Sequence, residues 1–137
     1  MNYVLDACSL IAFIDIEDGH KIVKKLFDRA EAGEVMLYMS IVNLIEVFYH
    51  FIRVDGIEVA SKIIVAVSKT PLTVVDRISQ PVYQEAARLK AVYKRISIAD
   101  VIGLATAKNL SATFVTGDHH EMDKLEQKEN YQFLWVR

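Results

Sequence analysis

Four acidic residues stand where their neighbours offer them little solvation. Asp6 closes the apolar run Tyr3-Val4-Leu5. Glu46 sits inside SIVNLIEVFYHFIR (residues 40–53), between Ile45 and Val47. Asp100 lies in IADVIGLATA (residues 98–107), where Thr106 is the one other polar residue. Asp118 follows FVTG (residues 114–117). A carboxylate among apolar groups costs free energy unless its charge is compensated. Four of them brought together without a cation repel one another, and some take up protons. Their hard oxygen donors suit Mg2+ or Mn2+, one ion or two. A magnesium site of this kind uses few carboxylates, keeps several waters and holds a phosphate.

Each acid also has a purely local reading. Asp6 can cap a helix that follows it. Asp100, three residues after Ser97, fits a capping box. Asp118, after a glycine, fits a turn. Glu46 shares a polar stripe with Asn43, His50 and Arg53, which is also the pattern of a helix with one wet side. Convergence of the four in space decides between the readings.

The elements that would position them follow from periodicity. Tyr3–Leu5, Val35–Met39, Leu72–Val75, Ala112–Thr116 and Phe133–Val136 are short apolar runs that read as strands. A helix is expected from Ser9 to Ile16. Ile22, Val23, Leu26, Phe27 and Ala30 mark an amphipathic helix stopped by Gly33. Ser40 is placed to cap the helix carrying Glu46. Ala60, Ile63, Ile64 and Val67 share a further helical face. Pro81 starts a helix whose apolar positions run from Val82 to Ile96, and Ser97 opens the last, through Ala107. Strands alternating with helices predict an α/β domain with a mostly parallel sheet, whose ligands bind beyond the carboxyl ends of the strands. If strands one, two and four are neighbours, the four acids meet at one sheet edge.

The chain of 137 residues, 53% hydrophobic, suits one domain over residues 1–137 with a sizeable core. No apolar run approaches the ~20 residues of a membrane helix, and the N-terminus lacks a signal-peptide pattern. Cys8 is the single cysteine, so an internal disulfide is excluded. The expectation is a soluble, cytoplasmic protein. A net charge of −2 gives no global basic field, so a nucleic acid would be met by local patches or bound metal.

Read together, the motifs resemble those of PIN-domain ribonucleases. Val4-Leu5-Asp6-Ala7-Cys8-Ser9 is similar to the first motif, Glu46 in its apolar helix to the second, Ser97 to Ala107 to the third, and Phe114 to Met122 to the fourth. The last departs from the family pattern, with Met122 where a phenylalanine is common. In size the chain is most similar to VapC-type toxins of toxin–antitoxin pairs. That resemblance implies a PIN-like, Rossmann-like three-layer domain of about five strands flanked by helices. It also implies Mg2+- or Mn2+-dependent endonuclease cleavage of RNA, an antitoxin partner and a homodimer. Carried over by position, Asp6, Glu46, Asp100 and Asp118 form the acidic quartet, with Ser9 and Thr116 as polar supports. Arg53 and Asn43 are candidates for substrate contact, and Lys21, Lys24, Lys25, Arg29, Arg88, Lys90, Lys94 and Arg95 for a phosphate-binding rim. His119 and His120 read first as turn residues. The alternatives are a housekeeping RNA-processing nuclease, a non-catalytic RNA- or antitoxin-binding domain, and a receiver-type signalling domain with Asp76 after its third strand.

Overall fold

The computed structural model describes residues 1–120 and 122–137. These form five strands and seven helices in the order β1 (Asn2–Leu5), α1 (Ala7–Ile14), α2 (His20–Glu31), β2 (Met36–Ser40), α3 (Ile41–Asp55), α4 (Ile57–Ser68), β3 (Leu72–Val75), α5 (Gln80–Val92), α6 (Ile98–Asn109), β4 (Thr113–Thr116), α7 (Met122–Lys128) and β5 (Phe133–Trp135). Glu121, within the fourth motif, lies outside the described residues.

The strands make one all-parallel sheet in the order β3-β2-β1-β4-β5. Parallel strands are covered on both faces, so they read as continuous apolar runs. Successive side chains alternate between two cores. Tyr3, Leu5 and Val115 pack with α1 to α4, while Val4 and Phe114 pack with α5 to α7. The central β1 has Val4 beside Tyr38 of β2 and Phe114 of β4. From β1 the chain winds outward through β2 and β3, then returns to the other side for β4 and β5. The crevice at that reversal is where open α/β sheets bind ligands. The order also removes the receiver-type alternative, whose β1 lies between β2 and β3.

The expected helix caps form. Ser40 Oγ accepts from Val42 N at 3.2 Å, and Ser97 Oγ accepts from Asp100 N at 3.1 Å. Gly56, at φ +86°, separates α3 from α4 in a backbone conformation that only glycine adopts cheaply. Element boundaries shift by a few residues from the sequence reading, and one element is new. Helix α1 starts at Ala7, because the Asp6 side chain caps it by accepting from Ser9 N. Helix α5 ends at Val92, although Tyr93 and Ile96 continue into the core. There Lys90 Nζ donates to the carbonyls of Lys94 and Ile96. Helix α7 is an element that the sequence reading leaves unassigned. Its seven residues show two buried contacts, Met122 and Leu125, too few to establish a period.

Away from the crevice, a charged network ties α5 and α6 to the segment before β5. Glu85 accepts from Arg88 Nε at 2.8 Å, from Lys108 Nζ at 3.1 Å and from Tyr131 Oη at 2.6 Å. Arg88 also donates to Glu129 at 2.8 Å. Arg88 above all, with Tyr131 and Lys108, holds the Glu85 carboxyl down at about 2 against the opposing effect of burial. A depressed acid contributes stability that is present above its ordinary value of 4.5 and is lost as pH falls toward 2. Glu85→Gln is expected to lower unfolding free energy by about 1.5–3 kcal/mol and to flatten the acid side of the stability curve. Chemical denaturation of both proteins across that range checks this; identical midpoints and slopes would refute it.

Candidate active site

Asp6 is the fixed point of the crevice. It is 2% exposed, and both carboxyl oxygens are engaged. Oδ1 accepts from Ser9 N at 2.8 Å as the cap of α1, and Oδ2 accepts from Thr116 Oγ1 at 2.5 Å. The residue that ends β1 therefore also starts α1 and is tied to the end of β4. Burial pushes its carboxyl up to about 6, although the Thr116 and Ser9 hydrogen bonds work the other way. Ser9 supports Asp6 through its backbone N–H. Its buried hydroxyl also lowers the Asp6 carboxyl and donates to the Val115 carbonyl of β4 at 2.9 Å. Thr116 Oγ1 also accepts from Asp118 N at 3.1 Å, so one threonine organises two of the four acids.

Glu46 is half-buried on α3. Burial raises its carboxyl above the usual range, against the effect of Asn43 Nδ2, which donates to Oε1 at 3.2 Å. Asp100, in the first turn of α6, is raised to about 7, first by burial and then by the charges of Asp6 and Glu46. All four carboxyls face one pocket of about 260 Å3, which Cys8 and His50 also line. Asp100 and Asp118 are shared with an adjoining pocket of about 360 Å3, lined further by Arg95, Ser97 and His120. The local roles expected for Asp6 and Asp100 are therefore real and coexist with convergence.

Other residues fall differently. Asn43 is fully buried, which removes it from contact with a substrate. Arg53 is exposed near the end of α3, seven residues past Glu46, or about 10 Å along the helix. Of the basic residues expected at a rim, Arg95 lines the crevice, whereas Arg88 belongs to the Glu85 network and Lys24 pairs with Asp28 at 2.8 Å. His119 is clamped by Asp123 at 2.8 Å and by the Arg137 carbonyl at 2.7 Å, and stacks on Trp135 at 4.1 Å. His120 is exposed. Two contributors escaped the sequence reading. Cys8 borders the acid pocket, and its sulfur accepts from Arg137 Nη2 at 2.9 Å. The position of Cys8 two residues after Asp6 was a usable signal. Nothing local links it to Arg137, 129 residues away.

Among the described residues, no group of three or more Asp, Glu, His or Cys side chains is drawn together as a set that could hold a metal ion. The crevice is an open, acid-lined cleft in which burial, more than the neighbouring charges, raises Asp6 and Asp100. In the metal-free protein, the raised acids contribute stability that is fully present below their ordinary value of 3.8. It is lost as pH rises through about 6 for Asp6 and about 7 for Asp100. The metal-free protein should therefore melt higher near pH 5 than near pH 8, with a shallower decline in Asp100→Asn. Thermal melts in chelator test this, and an undiminished decline in the variant would contradict it.

The fold matches solved structures at low sequence identity. VapBC2 from Rickettsia felis, bound to a DNA fragment from its promoter, aligns at TM-score 0.73 and 18% identity, covering 98% of each chain. DNA-bound VapBC from Salmonella typhimurium aligns at 0.74 and 13%, covering 100% of this chain and 99% of that one. VapC20 from Mycobacterium tuberculosis, a Sarcin-Ricin loop cleaving toxin, aligns at 0.62 and 14%, covering 83% and 87%. No curated protein matches the sequence. Such distant likeness speaks for the fold, but the sequence itself supplies the family. Residues 3–128 match the PIN domain, a span that holds all four converging acids, and the chain belongs to the PIN-domain family.

Proposed function

We propose that this PIN-domain protein is a divalent-metal-dependent endoribonuclease, the toxin of a toxin–antitoxin pair, acting as a homodimer. The observation that carries the reading is the convergence of Asp6, Glu46, Asp100 and Asp118 on one pocket at the sheet's switch point. Support comes from PIN membership and from structural relatives described as VapBC complexes and as a Sarcin-Ricin loop cleaving toxin.

The donor set fits a hard cation. It is all carboxylate, four such side chains line one pocket, and hard oxygen donors of this kind suit Mg2+ or Mn2+. Asp6, Asp100 and Asp118 would hold Mg2+ or Mn2+, with Glu46 contributing through water. When bound, such an ion supplies acidification of water and stabilisation of charge on the phosphate and the leaving 3′ oxygen. The protein's own part is placement. Asp6 is locked by two hydrogen bonds, so its geometry needs no rearrangement during the reaction. Glu46 is placed to orient water and accept its proton. A new P–O bond forms from that water, the P–O3′ bond breaks, and the 3′ oxygen takes a proton from bulk water to depart as a hydroxyl. Arg95 would take a flanking phosphate. Arg53 would meet RNA farther along. Exposed Ile45, Tyr49 and Ile52 on α3 offer apolar area for the antitoxin.

Purified protein should cleave single-stranded RNA with Mn2+, and Asp6→Asn and Asp100→Asn should each lose about 100-fold or more. Equal cleavage in all three samples would indicate a contaminant and end the reading. Mn2+ at about 100 times its Kd should stabilise wild type by about 2.7 kcal/mol through mass action. Arg95→Ala should weaken RNA binding and lower the salt slope of log K by about one. An unchanged slope would remove Arg95 from the interface.

A further inference from the structure

Asn43 breaks a general rule. Its side chain is wholly buried, yet Oδ1 is the one buried side-chain polar atom among the described residues without a hydrogen-bond partner. Buried amides of native proteins are normally satisfied, and exceptions need a cause. The cause here is the other end of the amide. Nδ2 donates to Glu46 Oε1 at 3.2 Å, and an ionised carboxylate can only accept. Reversing the amide would set two acceptors against each other. Oδ1 is thereby forced toward α6, where it meets Gly103. A Cβ on Gly103 would lie 2.8 Å from Oδ1 and 2.9 Å from Phe114 Cε1. No side chain fits there without displacing one of them.

The spacing gives this contact its consequence. Asn43 lies one turn before Glu46 on α3, and Gly103 lies one turn after Asp100 on α6, so each pair shares a helix face. Where Asn43 rests on the bare backbone of Gly103, the two helices come close enough for Glu46 and Asp100 to line one pocket. We infer that Asn43 is a positioning residue, its amide oxygen occupying the space a Cβ on Gly103 would need and its Nδ2 holding Glu46 into the pocket with Asp100. This inference rests on the nuclease reading and adds the device that aims one of its acids.

A double-mutant cycle tests it, with Asn43→Ala, Glu46→Gln and the double variant. Calorimetric Mn2+ binding is read beside RNA cleavage, and melts confirm folding. Asn43→Ala should weaken Mn2+ binding about 10-fold or more, in the range lost when groups supporting a metal ligand are removed. It should also lower kcat with KM for RNA unchanged. In the Glu46→Gln background the same substitution should change Mn2+ affinity less than about twofold, since its target is gone. Gly103→Ala should reproduce the single variant's loss. If Asn43→Ala does not fold, Asn43→Ser takes its place in the cycle. Equal factors in both backgrounds, or no loss in either, overturn the inference while wild-type binding and cleavage leave the nuclease reading intact. A wild type that neither binds Mn2+ nor cleaves RNA brings down both.

Discussion

The cost of keeping carboxyl groups away from water, beside one another, governs this molecule. Asp6 is almost fully enclosed and Asp100 is partly so, and both are displaced toward neutral pH. Their local roles, such as the cap that Asp6 gives α1, do not by themselves require four acids to line one pocket. Their presence turns the end of the sheet into a locus that favours cations or protons. The remaining architecture can be understood as what is needed to hold that arrangement in place.

Two features hold it. First, the strand order sets β2, β1 and β4 side by side, so that residues following them in the chain emerge at a common edge. Second, the side chains there serve more than one purpose. Asp6 caps α1 while receiving the Thr116 hydroxyl, and Thr116 in turn accepts from the Asp118 backbone. Such shared contacts couple the ends of β1 and β4 to the start of a helix, and rigid elements keep a polar constellation more exact than loops do. The Glu85 network has the opposite character. Its charges are paired, it lies apart from the crevice, and it joins α5, α6 and the approach to β5.

The strained detail at Asn43 belongs to the same logic. An acceptor left unpaired in the interior costs about 1–3 kcal/mol. Local rules are broken where function or geometry demands it, while the rest of the chain follows them. Here the unpaired oxygen accompanies a useful donor, and the neighbouring glycine supplies the room.

The alternation of apolar runs and amphipathic segments was enough to place five strands and most helices, because two-fold and 3.6-fold periods reflect which side faces the core. The four acids could be singled out for a similar reason: polar groups stand out against hydrocarbon. The caps Ser40 and Ser97 were legible because capping is local. Other facts required the folded molecule. The short helix α7 has too few buried positions to show a period. Asn43 looked like part of a wet stripe and proved to be interior, since α6 covers that side of α3. Arg137 reaches Cys8 across 129 residues of chain. Local chemistry is written in short windows of sequence, whereas the meeting of α3 with α6, and of β1 with β4, depends on how distant segments pack about one sheet.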